Sequence, residues 1–196
     1  LLPETLRTFG REFPDMRLRI SEELYPHQLQ RLRKGEVDVA LGGIPQGLPS
    51  GEFVVEALLE TTMEVVVRKG SAREQARSLQ ELATARWVYT GASSEEGYAK
   101  VLFESHGMTA PPVGAVVNST LALLSIVTTG DYVALMPRQI AAHPLARSFL
   151  SVVPVQERGL PLTVGAMVRS DTATSPAVRH LIAHLHRAAH QVNKVN

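Results

Sequence analysis

Gln28-Leu29-Gln30-Arg31-Leu32-Arg33-Lys34-Gly35-Glu36-Val37-Asp38-Val39-Ala40-Leu41 decides the fold, because its order returns at Leu123-Leu124-Ser125-Ile126-Val127-Thr128-Thr129-Gly130-Asp131-Tyr132-Val133-Ala134-Leu135. Each copy runs from a helix-like apolar run through a glycine and an acidic residue into a short apolar strand. In both, the glycine reads as a helix stop in the left-handed C′ position. Two such units set far apart in the chain predict two similar α/β lobes. Two lobes imply a cleft, and clefts at lobe boundaries hold small molecules.

Working outward, Leu2, Leu6, Phe9 and Phe13 recur at helical spacing, so residues 2–13 predict an amphipathic helix ended by Pro14-Asp15. Residues 17–21 alternate charged and apolar as a strand does. Pro26 opens a second helix that buries Leu29 and Leu32, and residues 37–41 form its following strand. Residues 42–52 are rich in glycine and proline and read as a loop. Strands are expected at 54–59 and 62–67, a turn at 68–71 and a capped short helix at 78–82. The strand 87–90 then feeds a turn, 91–96, and a helix, 98–106, with Ser93 or Ser94 as its cap and Glu95 and Glu96 in its first turn.

Gly107 ends that helix; strand 113–117 leads through Asn118-Ser119-Thr120 into the helix 121–129. After the strand 133–135 a helix starts at Pro137, strands follow at 150–155 and 162–168, and Ser175-Pro176 begins a last helix burying Val178, Leu181, Ile182 and Leu185. The alternation predicts mostly parallel sheets flanked by helices.

The chain has 196 residues, 44% of them hydrophobic, which is enough for a sizeable core in one domain or two small ones. Lys plus Arg (20) nearly cancels Asp plus Glu (19), so this segment lacks the basic surplus that nucleic-acid binding requires. Cysteine is absent, which excludes disulfides and thiolate chemistry and fits a reducing cytosol. No apolar stretch approaches the roughly 18 residues of a membrane span. Because the first residue is Leu1 rather than methionine, the sequence reads as a piece of a longer chain.

Taken in order, these elements resemble the effector-binding domain of LysR-type transcriptional regulators. The resemblance rests on Phe13-Pro14-Asp15 before a charged strand, Leu29-x-x-Leu32-x-x-Gly35-Glu36-Val37-Asp38-Val39-Ala40, Lys69-Gly70-Ser71, Ser78-Leu79-x-x-Leu82, His106-Gly107, and Val127-x-x-Gly130-Asp131-x-Val133-Ala134-x-x-Pro137. It implies a type II periplasmic-binding-protein-like α/β fold of two Rossmann-like lobes with a ligand cleft between them. Lobe I is expected at 1–70 plus 160–196 and lobe II at 71–159.

The family joins this domain to an N-terminal winged helix-turn-helix, expected upstream of Leu1 together with the first strand of lobe I. The resemblance further implies a cytoplasmic protein that does no chemistry and needs no cofactor. It would be a homodimer or homotetramer that meets DNA only through the N-terminal module and does not meet a membrane. Arg7 and Arg11, on the exposed side of the first helix, are candidates for the contact between copies.

Three segments follow strands and are expected at the effector site: Gly42-Gly43, Thr90-Gly91 with Ser93, Ser94 and Glu95, and Asn118-Ser119-Thr120. The last two precede helices, whose first N–H groups can donate to carboxylate, sulfonate or carbonyl oxygens. Family correspondence adds Tyr25, whose ring could stack and whose hydroxyl could donate. A small anionic or aromatic metabolite is the guest these groups suit. Glycine at position 43, where dicarboxylate-binding members can carry arginine, leaves room for something bulkier. Ligand contact with both lobes would favour a more closed arrangement and bias an oligomer.

His180 and His184, like His186 and His190, sit four apart as metal-binding pairs can, but no glutamate completes a zinc-hydrolase pattern, and the terminal helix reads as solvated. His27, His106 and His143 read as surface or capping residues. There is no Gly-x-Ser-x-Gly elbow, phosphate loop or dinucleotide fingerprint. The rival reading on the same fold is an extracytoplasmic solute-binding protein of a transport system, which would carry a secretory leader.

Overall fold

The elements in chain order are α1 (Leu2–Glu12), α2 (His27–Arg33), β1 (Ala40–Gly43), β2 (Phe53–Arg68), a 3-10 turn (Ala72–Gln75), α3 (Leu79–Leu82), β3 (Arg86–Thr90) and α4 (Tyr98–Ser105). They continue with β4 (Val113–Val117), α5 (Thr120–Thr129), β5 (Tyr132–Pro137), α6 (Arg138–Ala141), α7 (Pro144–Arg147), β6 (Leu150–Val152), β7 (Leu160–Arg169) and α8 (Pro176–Val195). This computed structural model describes residues 1–23, 27–45, 47–91, 97–171 and 173–195. The described residues divide into two units, one built from those within 1–22, 27–60 and 163–195 and the other from Glu23 and those within 61–162. Hydrogen-bonded strand neighbours run β1-β7-β2-β5-β3-β4, with β6 also on β2.

In the first unit α2 ends as its sequence dictates. Gly35 has φ +68°, the Gly35 N–H donates to the Leu32 carbonyl and the Glu36 N–H to the Arg31 carbonyl, so two orphan carbonyls are satisfied in a Schellman closure. Leu29 and Leu32 are thereby turned onto Ala40 of β1 and Met167 of β7. Strand β1 is antiparallel to β7, pairing Ala40 with Met167 and Gly43 with Val164. The other face of β7, with Ala166 and Val168, packs with Ile182, Leu185 and Ala189 of α8.

The second unit is doubly wound. Strand β3 is parallel to both β4 and β5. Its side chains alternate between two apolar layers: Trp87 and Tyr89 lie with Ala99, Leu102 and Phe103 of α4, whereas Val88 lies with Leu123 and Val127 of α5. Trp87 is fully buried, donates Nε1–H to the Leu82 carbonyl at 3.1 Å and meets the Phe103 ring edge-on at 5.3 Å. Such an aromatic pair adds about 1 kcal/mol beyond its buried area.

Several expectations are corrected. Residues 17–21 form no strand: they lie exposed, with Ile20 at 54% exposure, and no ladder partner takes up their alternation among the described residues. The first repeat's strand begins at Ala40 rather than 37 and takes in Gly42 and Gly43, which were expected in a loop. The two strands expected at 54–59 and 62–67 are one continuous β2, since Glu60 and Thr61 contain no turn signal to interrupt it.

The sheet is mixed rather than mostly parallel, because β2 pairs antiparallel with both β5 and β6, as β1 does with β7. The N-cap of α4 is Gly97, not Ser93 or Ser94, and no acidic residue stands in its first turn. A Cβ on Gly97 would fall on the ring of Tyr89, so the position has no room for a side chain. Gly130, finally, is not left-handed: its φ is −113°.

Candidate functional site

Within the second unit the carboxyl ends of β3 and β4 lie side by side, with Thr90 paired to Val117 and the Gly91 N–H donating to the Val117 carbonyl at 3.2 Å. From this shared edge the chain departs to opposite faces of the sheet, toward α4 on one side and α5 on the other. Diverging connections at the carboxyl edge are where open α/β sheets leave a crevice for ligands.

Ser119 starts α5 with extended backbone, and its Oγ accepts from the Ala122 N–H at 3.5 Å, a bond at the long limit. Its hydroxyl retains a proton to donate. Asn118 is exposed; Thr90, Gly91 and Thr120 are partly buried. The ten residues of α5 include no charge, so no acidic side chain in its first turn offsets the positive end of its dipole. The edge therefore offers an amide, three hydroxyls and a helix N-terminus to an electron-rich group.

In the first unit, Gly42 and Gly43 lie within β1, where Gly42 faces Gly165 of β7. Gln28 brings its Oε1 to 3.4 Å from the point a Cβ on Gly42 would occupy. Sequence reading missed Gln28, because it stands in the first turn of α2 with no local motif. The structure thus brings Thr90, Gly91, Asn118, Ser119 and Thr120 together and puts Gly42 and Gly43 in the other unit. Tyr25, Ser93, Ser94 and Glu95 lie outside the described residues.

Several of the histidines have structural partners. His184 is buried against α1 instead of solvated, with Nδ1 2.8 Å from Thr8 Oγ1 and Nε2 3.0 Å from Glu12 Oε2. His143 caps α7 by accepting from the Leu145 N–H, and His106 Nε2 meets the Arg158 carbonyl at 3.0 Å. Among the described residues no cluster of three or more His, Asp or Glu side chains could hold a metal ion. Among them, too, no helix is long and apolar enough to cross a membrane.

A family profile described as the LysR substrate binding domain matches residues 1–190. The chain belongs to this family. As a LysR substrate-binding domain it is 29% identical over 190 residues to the HTH-type transcriptional regulator GalR of Pseudomonas putida, covering 93% of this chain and 47% of that protein. It spans about half the length of the curated relatives it matches.

Among solved structures it resembles the CcmR regulatory domain of Synechocystis in complex with 2-PG, at TM-score 0.80 and 15% identity, covering 96% of this chain and 90% of that one. It resembles equally the effector-binding domain of QuiR in complex with shikimate, at TM-score 0.80 and 15% identity, covering 97% and 90%. At such identities these likenesses establish the fold, that of LysR effector-binding domains of the type II periplasmic-binding-protein-like class.

Proposed function

We propose that this LysR substrate-binding domain is the sensing part of a transcriptional regulator, binding a small anionic or aromatic metabolite and passing its occupancy to a DNA-binding module elsewhere in the full protein. The observation that carries the reading is the family match over residues 1–190, joined to the α5 edge of the second unit. Thr90, Asn118, Ser119 and Thr120 there present neutral hydrogen-bonding groups beside a helix whose own first turn carries no acidic residue. A carboxylate, sulfonate or phosphate is the group such an edge prefers. The shikimate and 2-PG bound by structural neighbours support a small-molecule guest of this kind.

The family match favours regulation over the transport reading. In the proposed protein the domain is a sensor and not a catalyst, works in the cytoplasm, and pairs with further copies of itself. The reading also assigns Tyr25, Ser93, Ser94 and Glu95 to effector contact, and lobe I and lobe II to 1–70 with 160–196 and 71–159.

Thermal-shift screening against aromatic carboxylates, sulfonates and sugar acids tests the proposal, since a ligand bound only by the native state raises Tm. The expected result is a concentration-dependent rise with at least one such compound. The same rise in Asn118→Ala combined with Thr90→Val would move the site away from the α5 edge.

A further inference from the structure

We propose that the surface formed by α6, α7 and β6 docks an extended segment of another protein, one that alternates apolar and acidic side chains. The three elements pack on one another within the second unit. Their inner side is small: Ala141, Ala146 and Leu150 are buried in one cluster with Val66 of β2 and Val127 of α5. Larger apolar side chains of the same elements remain outside. Leu145 is 75% exposed and Phe149 61%, and Ile140 and Val152 are exposed as well. A single exposed leucine is ordinary, but four large apolar side chains on three packed elements form a patch of the kind that marks an interaction surface.

The charge of this surface identifies its partner. From Tyr132 to Gln156 the sequence carries Arg138, His143 and Arg147 and neither aspartate nor glutamate. The adjoining end of β2 adds Arg68 and then Lys69, whose N–H donates to the Phe149 carbonyl at 2.8 Å. Two carboxylates beside it are engaged within the fold: Glu64 lies 3.5 Å from Arg138, and Glu74 accepts from the Ser151 hydroxyl at 2.7 Å and from the Gly70 N–H. A partner's carboxylates can therefore meet the bases while its apolar side chains cover the patch. A second copy of the same face would set like charge against like, and one-turn helices supply no amphipathic helix to lie in a bilayer surface.

Strand β6 supplies the place for an extended segment. The Lys69 N–H donates to the Phe149 carbonyl and the Val153 N–H to the Val65 carbonyl, so alternate residues from 149 face β2. The backbone groups of Leu150 and Val152 then point to the other edge, where no strand flanks β6 among the described residues. Added strands bind such edges through main-chain bonds and gain specificity from alternate side chains.

Fluorescence anisotropy with a labelled peptide that alternates leucine and aspartate tests the surface, against its leucine–lysine counterpart. Saturable binding of the first peptide is expected, at least roughly tenfold tighter than the second and weaker at high salt. Leu145→Gln combined with Phe149→Ser should weaken it about tenfold, and Arg147→Glu should cut the preference for the acidic peptide several-fold. All three side chains are exposed, so these changes leave the core intact. No saturable binding, equal binding of the two peptides, or binding that survives both variants would overturn the proposal. So would self-association of the chain that the Leu145 and Phe149 changes abolish, or binding of phosphatidylserine vesicles in place of the peptide.

Discussion

The ring of Tyr132 occupies the space a side chain on Gly130 would need, its Cδ2 lying 2.5 Å from the ideal Cβ position. The same ring crowds Gly114 on β4, where a Cβ would meet Cε1 at 2.6 Å, and the Arg86 guanidinium lies 5.0 Å from its centroid. Glycine at 130 is thus required by packing, whereas glycine at 35 is required by its backbone, at φ +68°. The two copies of one sequence pattern share a residue for different physical reasons.

Gly130→Ala is expected to destabilise the chain by about 1–3 kcal/mol, the cost of overpacking. Combining it with Tyr132→Ala should cost less than the two changes taken separately, because the first clash vanishes with the ring. Gly35→Ala should cost about 1 kcal/mol through its positive φ, with no rescue from Tyr132→Ala. Urea unfolding of the three single variants and the two combinations with Tyr132→Ala measures the coupling.

The repeat was legible because each copy combines an apolar helix face with a glycine-acid step; α2–β1 and α5–β5 both follow it, with β1 displaced to Ala40–Gly43. The left-handed reading held for Gly35, at φ +68°, and failed for Gly130, whose φ is −113° and whose lack of a side chain instead makes room for the Tyr132 ring. The strand pattern at residues 17–21 was real as a pattern, yet a strand is made by its partner, and period alone supplies none. At the candidate site, Ser119 was readable as the cap of α5 because capping is local chemistry. Gln28 was not, because its relation to Gly42 exists only after α2 packs beside β1.

Acid should loosen the link between the 3-10 turn and β6. Glu74 accepts from the Ser151 hydroxyl at 2.7 Å and from the Gly70 N–H, and these two bonds, the Ser151 one first, hold its carboxyl below the ordinary carboxylate range. A depressed folded-state value contributes stability that is present above the unfolded value and lost as pH falls through the folded one. Glu74→Gln should therefore lower stability at neutral pH and flatten its decline below about pH 4.5. Thermal melts of both proteins across that range check the sign; parallel curves would mean that the carboxylate plays no part.

Ser119 and Asn118, adjacent in sequence, should separate folding from binding. Ser119 caps α5, so Ser119→Ala is expected to cost about 1 kcal/mol of stability whether or not a ligand is present. Asn118 is exposed, so Asn118→Ala should leave the unliganded Tm within a degree or so, since surface changes away from such features fall within about 0.5 kcal/mol. With an effector found by thermal shift, Asn118→Ala is expected to weaken binding by roughly tenfold, the worth of one hydrogen bond to a charged group. Titration calorimetry measures that loss. Unchanged affinity in Asn118→Ala, with Ser119→Ala affecting stability alone, would reduce this edge to a helix cap and leave ligand recognition to other residues.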